Sequence, residues 1–347
     1  MKKIIFLVCV IFLSGCGSRL IEKKNLPIWQ TQLGEGRISF RGLCAVNEKV
    51  VWASGNWGSF ARTTDGGKNW QLGTVAGAEK IDFRDIAAFD ENTAIVFGID
   101  SPAKFYKTTD GGKNWRLVYD NNTSGIFFSA AGFWDKNNGI ALSDPVGGRF
   151  IIVTTSDSGE SWQQLKNLPG AVKGEGIFAA SGSNIALPGK NKIIFVTGCT
   201  AARVFHSSDT RASWSFVHSP LESGAGSNGI FSIAIKNEKQ GIIVGGDYKR
   251  ENDANSNAAI TADGGKTWKL ITTNKPSGFR ECVIFKDKSN IAITVGPNGS
   301  DISYDNGKTW INFSGRDGFH AVAFSPDGKS CWAAGSRGKI SKLIRPN

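Results

Sequence analysis

Along most of this chain apolar residues come in short runs or alternate with polar ones, and glycine-rich turns separate the runs. No stretch sustains the 3.6-residue apolar spacing of an amphipathic helix, so the pattern predicts strands. RECVIF, IAITVG, SDIS and TWINF follow one another between Arg280 and Phe313 and read as four consecutive strands, A to D.

The grouping recurs. Six nonapeptides of one type end in Trp70, Trp115, Trp162, Trp214, Trp268 and Trp310, and each carries an aspartate five residues earlier: Asp65, Asp110, Asp157, Asp209, Asp263 and Asp305. The aspartates lie 42 to 54 residues apart, the period of a propeller blade and not of a helical solenoid. In each unit the nonapeptide falls on the turn from strand C to strand D. There an aspartate accepts hydrogen bonds from the turn's own amides, glycines supply positive φ and the tryptophan packs into the blade, which makes the repeat scaffold. The fourth copy has Thr210-Arg211 where others have Gly-Gly, so its turn is expected to be distorted.

A seventh unit shows strands A to C in GFHAVAF, SCWAAG and GKISKL, and then the chain ends. IWQTQL (Ile28 to Leu33) is the expected outer strand of that unit. Sewing it in closes the ring and removes two open sheet edges. The expectation is an all-β chain: a seven-bladed β-propeller of four-stranded blades over residues 28–347, closed by the N-terminal strand.

One apolar run does not belong to this pattern. Ile4 to Leu13 follows Lys2 and Lys3 and is too short for a membrane-spanning helix, as a secretory signal should be. Leu13-Ser14-Gly15-Cys16 resembles the lipobox of bacterial lipoproteins, in which the cysteine is lipidated and becomes the new N-terminus. The resemblance implies a signal peptide over residues 1–15, a lipidated tether over 16–27 and a cell-envelope location facing the periplasm or the cell surface. Acyl chains on Cys16 would anchor the domain to a membrane.

Loss of Lys2 and Lys3 lowers the formal charge from +11 to +9, which leaves a basic chain. Charge of this kind bears on partners and solubility, and a location outside the cytoplasm argues against nucleic acid. Cys44, Cys199, Cys282 and Cys331 are widely scattered in apolar runs, so neither a zinc site nor a disulfide framework is expected. His206, His218 and His320 share no ligand spacing, and no metal or cofactor is expected.

Topology divides the disc into two faces. D-to-A connections and B-to-C loops lie on one, the mouth face, and the repeated hairpins lie on the other. The starts of strand A read SFRGL, DFRDI, GFREC and GFHAV, which places Arg41, Arg84, Arg280 and His320 in equivalent slots of the contiguous blades 1, 2, 6 and 7. Glu175 begins strand A of blade 4, and the B-to-C loops add Asp100, Asp144, Asp247 and Tyr248. Charged loops on a rigid scaffold are where function concentrates. The arginine arc reads either as a binding site or as a rim neutralised by its neighbouring aspartates.

The motif S/T-x-D-x-G-x-x-W resembles the Asp-box, or BNR repeat, of sialidases and many other propellers. A sialidase-like glycoside hydrolase would need a tyrosine nucleophile with a carboxylate partner. Of Tyr106, Tyr119, Tyr248 and Tyr304 only Tyr248 is expected on the mouth face, and the arginine-isoleucine-proline signature is absent because Arg41 precedes Gly-Leu. GAGSNG (Gly224 to Gly229) spells a dinucleotide pattern but leads into a strand instead of opening a helix, which counts against an oxidoreductase. The blade grammar as a whole is similar to seven-bladed propellers of the photosystem II stability and assembly factor type. That resemblance implies a non-enzymatic binding or assembly role, with Arg41, Arg84 and Arg280 as patch candidates for an acidic protein segment. An anionic saccharide is the other ligand such a patch would take.

Overall fold

The computed structural model describes residues 26–99, 101–207 and 213–345. Cys16, Asp100 and Asp209, assigned above to lipidation, the mouth and the fourth hairpin, lie outside these residues. Every regular element among the described residues is a strand. They form seven sheets, six of four strands and one of six, and successive sheets make the blades of a closed ring. Apolar side chains fill the spaces between neighbouring blades, as where Phe60 and Val75 of blade 1 meet Phe83 and Val96 of blade 2.

Blade 7 is completed by the first strand of the propeller. Ile28–Leu33 pairs antiparallel with Ile340–Ile344, its register running from Ile28 opposite Ile344 to Leu33 opposite Ile340. Trp29 anchors this outer strand. Its ring lies 5.3 Å from Phe319 of the same blade and 5.9 Å from Phe313 of blade 6, and its indole nitrogen donates to Ser300 Oγ at 3.0 Å.

The repeated hairpins share one geometry wherever they are described. Asp65, Asp110, Asp157, Asp263 and Asp305 each accept from the amide four residues on at 2.9 to 3.0 Å, and each takes a hydroxyl from the threonine or serine two residues before it. Donors from the turn's amides and side chains hold the carboxyls of Asp65, Asp110, Asp157 and Asp263 down at about 2. Main-chain bonds tie these hairpins to the A-to-B turns, for example Gly66 N to Lys49 O at 3.0 Å and Gly264 N to Lys239 O at 2.9 Å, so both sets lie on the face opposite the mouth. The tryptophans wedge between blades: Trp70 meets Trp332 at 5.9 Å, Trp115 meets Phe60 at 5.3 Å and Trp162 meets Phe105 at 5.4 Å.

Blade 4 departs from the plan. Its strand A starts with Glu175 opposite Cys199 and Gly176 opposite Gly198, and an unbroken ladder would bring Ala179 opposite Phe195. Ile185 stands there instead, six residues later, so the chain between them leaves the sheet. The displaced upper part of the blade pairs with blade 5 through Gly198 and Gly229, which accounts for the six-stranded sheet. Glycine is required at that junction, since a Cβ on Gly229, at φ +145°, would sit 2.3 Å from Gly198 Cα.

Candidate functional site at the axial mouth

The strand-A cations owe their direction to a bulge. In blades 1, 2 and 7 the ladder pairs the phenylalanine with a glycine and then skips a residue, leaving Arg41, Arg84 and His320 unpaired. A bulged residue is re-aimed relative to its strand, here toward the axis. The same bulge carries Ser129 in blade 3 and Phe231 in blade 5. Blade 6 differs: its ladder begins only at Cys282 opposite Val295. Arg280 is thereby turned away from the axis, and Glu281 reaches the cations of the neighbouring blades in its stead.

The structure therefore brings together Arg41, His320 and Glu281, and not Arg280. Glu281 Oε2 lies 3.2 Å from Arg41 Nη1 and 2.8 Å from His320 Nδ1, while His320 Nε2 meets Ser336 Oγ at 3.0 Å. Burial works against the Glu281 carboxylate, but His320 and Arg41 hold it below its ordinary range. Sequence reading missed Glu281 because Cys282 and Val283 are both apolar and buried, so either register satisfies the hydrophobic pattern.

Arg280 is fully enclosed. Its Nε and Nη2 contact Asp301 Oδ2 at 2.6 and 2.5 Å, and Nη1 donates to Asn298 Oδ1 at 2.5 Å and Phe279 O at 2.7 Å. With side-chain exposures of 0% and 1% the pair is out of reach of any ligand. Glu175 is equally structural: it is buried against Arg203 and accepts from Thr197 Oγ1 at 2.7 Å and Val172 N at 3.0 Å.

The segment that leaves blade 4 fills the axial channel. Ala179 O accepts from Arg84 Nη1 and Ala180 O from Arg41 Nη1, both at 3.1 Å. Ser181 Oγ donates to Glu281 O of blade 6 at 3.0 Å, and Asn184 Nδ2 to Phe231 O of blade 5 at 2.9 Å. Gly182, at φ +69°, lies so close to blade 2 that a Cβ would be 2.3 Å from the Asp85 carboxyl carbon. One short segment thus touches four other blades. Arg84 also holds Asp82 Oδ2 at 2.8 Å, and the Arg41 and Arg84 side chains keep 22% and 29% of their exposure.

Among the described residues two carboxyls here have no ion pair. Asp85 accepts the amides of Ala131 and Ile86 at 2.7 and 2.8 Å, and Asp144 accepts that of Ile177 at 2.7 Å. Burial outweighs these bonds and pushes both acids up to about 7. They brace neighbouring blades. Asp247 is half of a loop clamp, accepting from Lys249 N at 2.9 Å and Arg250 Nε at 3.0 Å, and Arg250 also reaches Asp253 and Glu222. Tyr248 is exposed, its ring 6.3 Å from Phe178 and 6.4 Å from Phe231. Among the described residues no carboxylate hydrogen-bonds its hydroxyl, the arrangement a tyrosine nucleophile would need. No group of three or more His, Cys, Asp or Glu among those residues is placed to hold a metal.

No protein-family profile matches the chain, and no curated protein matches its sequence. Its fold is similar to that of YCF48 bound to a D1 peptide, with a TM-score of 0.67 at 15% identity over 91% of this chain and 96% of the other. YCF48 from Cyanidioschyzon merolae aligns with a TM-score of 0.64 at 17% identity, over 91% and 98% of the two chains. The Neurospora crassa Pan2 WD40 domain aligns with a TM-score of 0.60 at 10% identity, over 89% and 90%. At these identities the likeness is one of fold, the seven-bladed propeller.

Proposed function

We propose that this chain is a binding propeller that holds an acidic segment of a partner protein at the axial mouth, tethered to a membrane of the cell envelope through Cys16. The observation that carries the reading is the state of Arg41 and Arg84. Beside the one carboxylate it already holds, Glu281 or Asp82, each points a guanidinium nitrogen at a neutral main-chain carbonyl of the blade 4 segment and remains partly exposed. A carboxylate makes shorter and stronger bonds to a guanidinium than a carbonyl does, so an acidic group arriving at the mouth has a gradient to follow. The likeness to a propeller solved with a bound peptide supports a protein partner. The charged start, apolar run and Cys16 support the tether.

The test is capture of partners from the native envelope by the detergent-solubilised protein, read by mass spectrometry. Wild type is expected to retain a specific protein, and the Arg41→Gln/Arg84→Gln double variant to lose it by about tenfold or more, the scale for charge-assisted bonds. Glutamine at position 41 leaves Glu281 its His320 partner, so the melting temperature should stay close to that of wild type. Retention of the same partner by the double variant sinks the reading, and an anionic glycan in its place shifts the ligand class. The same preparation checks the tether: wild type should enter the detergent phase and Cys16→Ala should not.

A further inference from the structure

Three residues hold a left-handed backbone on one side of the mouth face: Trp57 and Arg337 in turns, and Glu35, at φ 67°, in the connection from blade 7 to blade 1. The B-to-C turns of blades 1 and 7 place Trp57 at φ 58° before Gly58 at 64°, and Arg337 at 57° before Gly338 at 69°. Turns with two positive φ values favour Asn-Gly, and a tryptophan there is an outlier. Trp57 is 51% exposed, and its indole has no ring contact or hydrogen bond among the described residues. Strain kept at an exposed position is a pointer to use.

These turns belong to one continuous band. Residues 34–39, which lead from blade 7 into blade 1, are bonded to both: Gly338 N to Ile38 O at 2.6 Å, Gly36 N to Arg337 O at 2.9 Å and Ser39 N to Asn56 Oδ1 at 2.8 Å. On its other flank the blade 7 turn is bonded to the connection from blade 6, through Ser336 N to Gly318 O at 2.9 Å and Lys339 Nζ to Asp317 O at 3.0 Å. In order along the band stand Arg316, Arg337, Arg37 and Trp57. All are exposed, and among the described residues none of the three arginines has an ion pair. Arg250, by contrast, is held by three carboxylates. The band adjoins Arg41, two residues beyond Ser39.

We infer that this band is a second contact surface for the partner, taking an extended acidic segment whose carboxylates meet Arg316, Arg337 and Arg37 and whose single apolar side chain lies on Trp57. The inference rests on the reading of the axial mouth given above. Exposed arginines without partners offer bidentate sites to carboxylates, and an exposed indole offers a flat apolar platform. The extended form follows from the layout, a rim of successive connections and turns.

The test uses fluorescence anisotropy with labelled peptides of alternating glutamate and glycine carrying one central leucine, a serine-for-leucine control and a thymidine oligonucleotide of equal charge. Wild type should prefer the leucine peptide by about fivefold, the scale of an apolar contact with an aromatic ring. Trp57→Asn should erase that preference while the melting temperature holds or rises, because Asn-Gly suits the turn. Arg37→Ser/Arg316→Ser/Arg337→Ser should weaken both peptides by roughly tenfold and flatten their salt dependence. Rim variants that bind like wild type, while Arg41→Gln/Arg84→Gln loses both peptides, overturn the band and leave the axial mouth standing. Failure of wild type to bind either peptide removes the axial reading and the band with it. Tighter binding of the oligonucleotide than of the peptides overturns the assignment to a protein segment.

Discussion

Replacing Arg280 by methionine is expected to lower the unfolding free energy by about 3–5 kcal/mol, the scale for breaking a buried ion pair from one side. The cause is what stays behind. Asp301, 1% exposed, would be left in the interior without its cation, with Ser277 and Asn312 as its side-chain donors among the described residues. Urea unfolding measures the loss, and the double variant Arg280→Met/Asp301→Leu should recover most of it because no unpaired charge remains. Arg84→Gln, three residues upstream of Ala87 in the equivalent strand of blade 2, should stay within about 1 kcal/mol of wild type, since its partner Asp82 keeps access to water. Equal losses at positions 84 and 280 would contradict the division between a structural and a ligand-facing arginine.

Stability should peak at mildly acidic pH. Asp85 and Asp144 have folded pKa values of about 7 against an ordinary 3.8, so their contribution is complete below about pH 4 and is lost as pH rises through 7. The hairpin aspartates have the opposite sign. Held at about 2, they contribute fully above their ordinary pKa and lose the contribution as pH falls through 2. Together the slopes place the maximum near pH 4 to 5. A shift of one unit is worth about 1.4 kcal/mol, so each of these half-buried acids accounts for less than about 4 kcal/mol between pH 4 and 8. Asp144→Asn preserves an acceptor for the Ile177 amide and removes the ionisation. It should melt higher than wild type at pH 8 and match it near pH 4. A melting profile flat from pH 4 to 8 in wild type would show that neither acid is perturbed.

Much of the scaffold was legible because repeats state it several times. A nonapeptide with aspartate, glycines and tryptophan at fixed offsets has few foldings other than a tight hairpin, and its period sets the blade. The returning strand Ile28–Leu33 was legible as an orphan that a three-stranded blade lacked. The candidate site was legible only in part. Local pattern placed Arg41, Arg84 and His320 at the axis, but nothing local distinguishes Arg280 from them. Its fate depends on a one-residue shift of the blade 6 ladder that apolar neighbours conceal. The segment that fills the channel was hidden in the same way, since Ile177, Ala179 and Ala180 are apolar enough to read as continuing strand. A trace of it existed in the wide spacing from Asp157 to Asp209, within which the segment falls. Partners across a ring, such as Arg41 and Ala180, leave no mark in sequence distance.

The returning strand also has a consequence in time. Its partners Ile340 to Ile344 lie some 310 residues further on, so during synthesis the first strand of the propeller must wait, unpaired, for the strand it completes. Until they meet, blade 7 offers an open edge and the waiting strand is a free complement to it. At low concentration the two find each other within one molecule. At high concentration the strand of one molecule can complete the blade of another, and closure of the ring becomes a competition between self and neighbour.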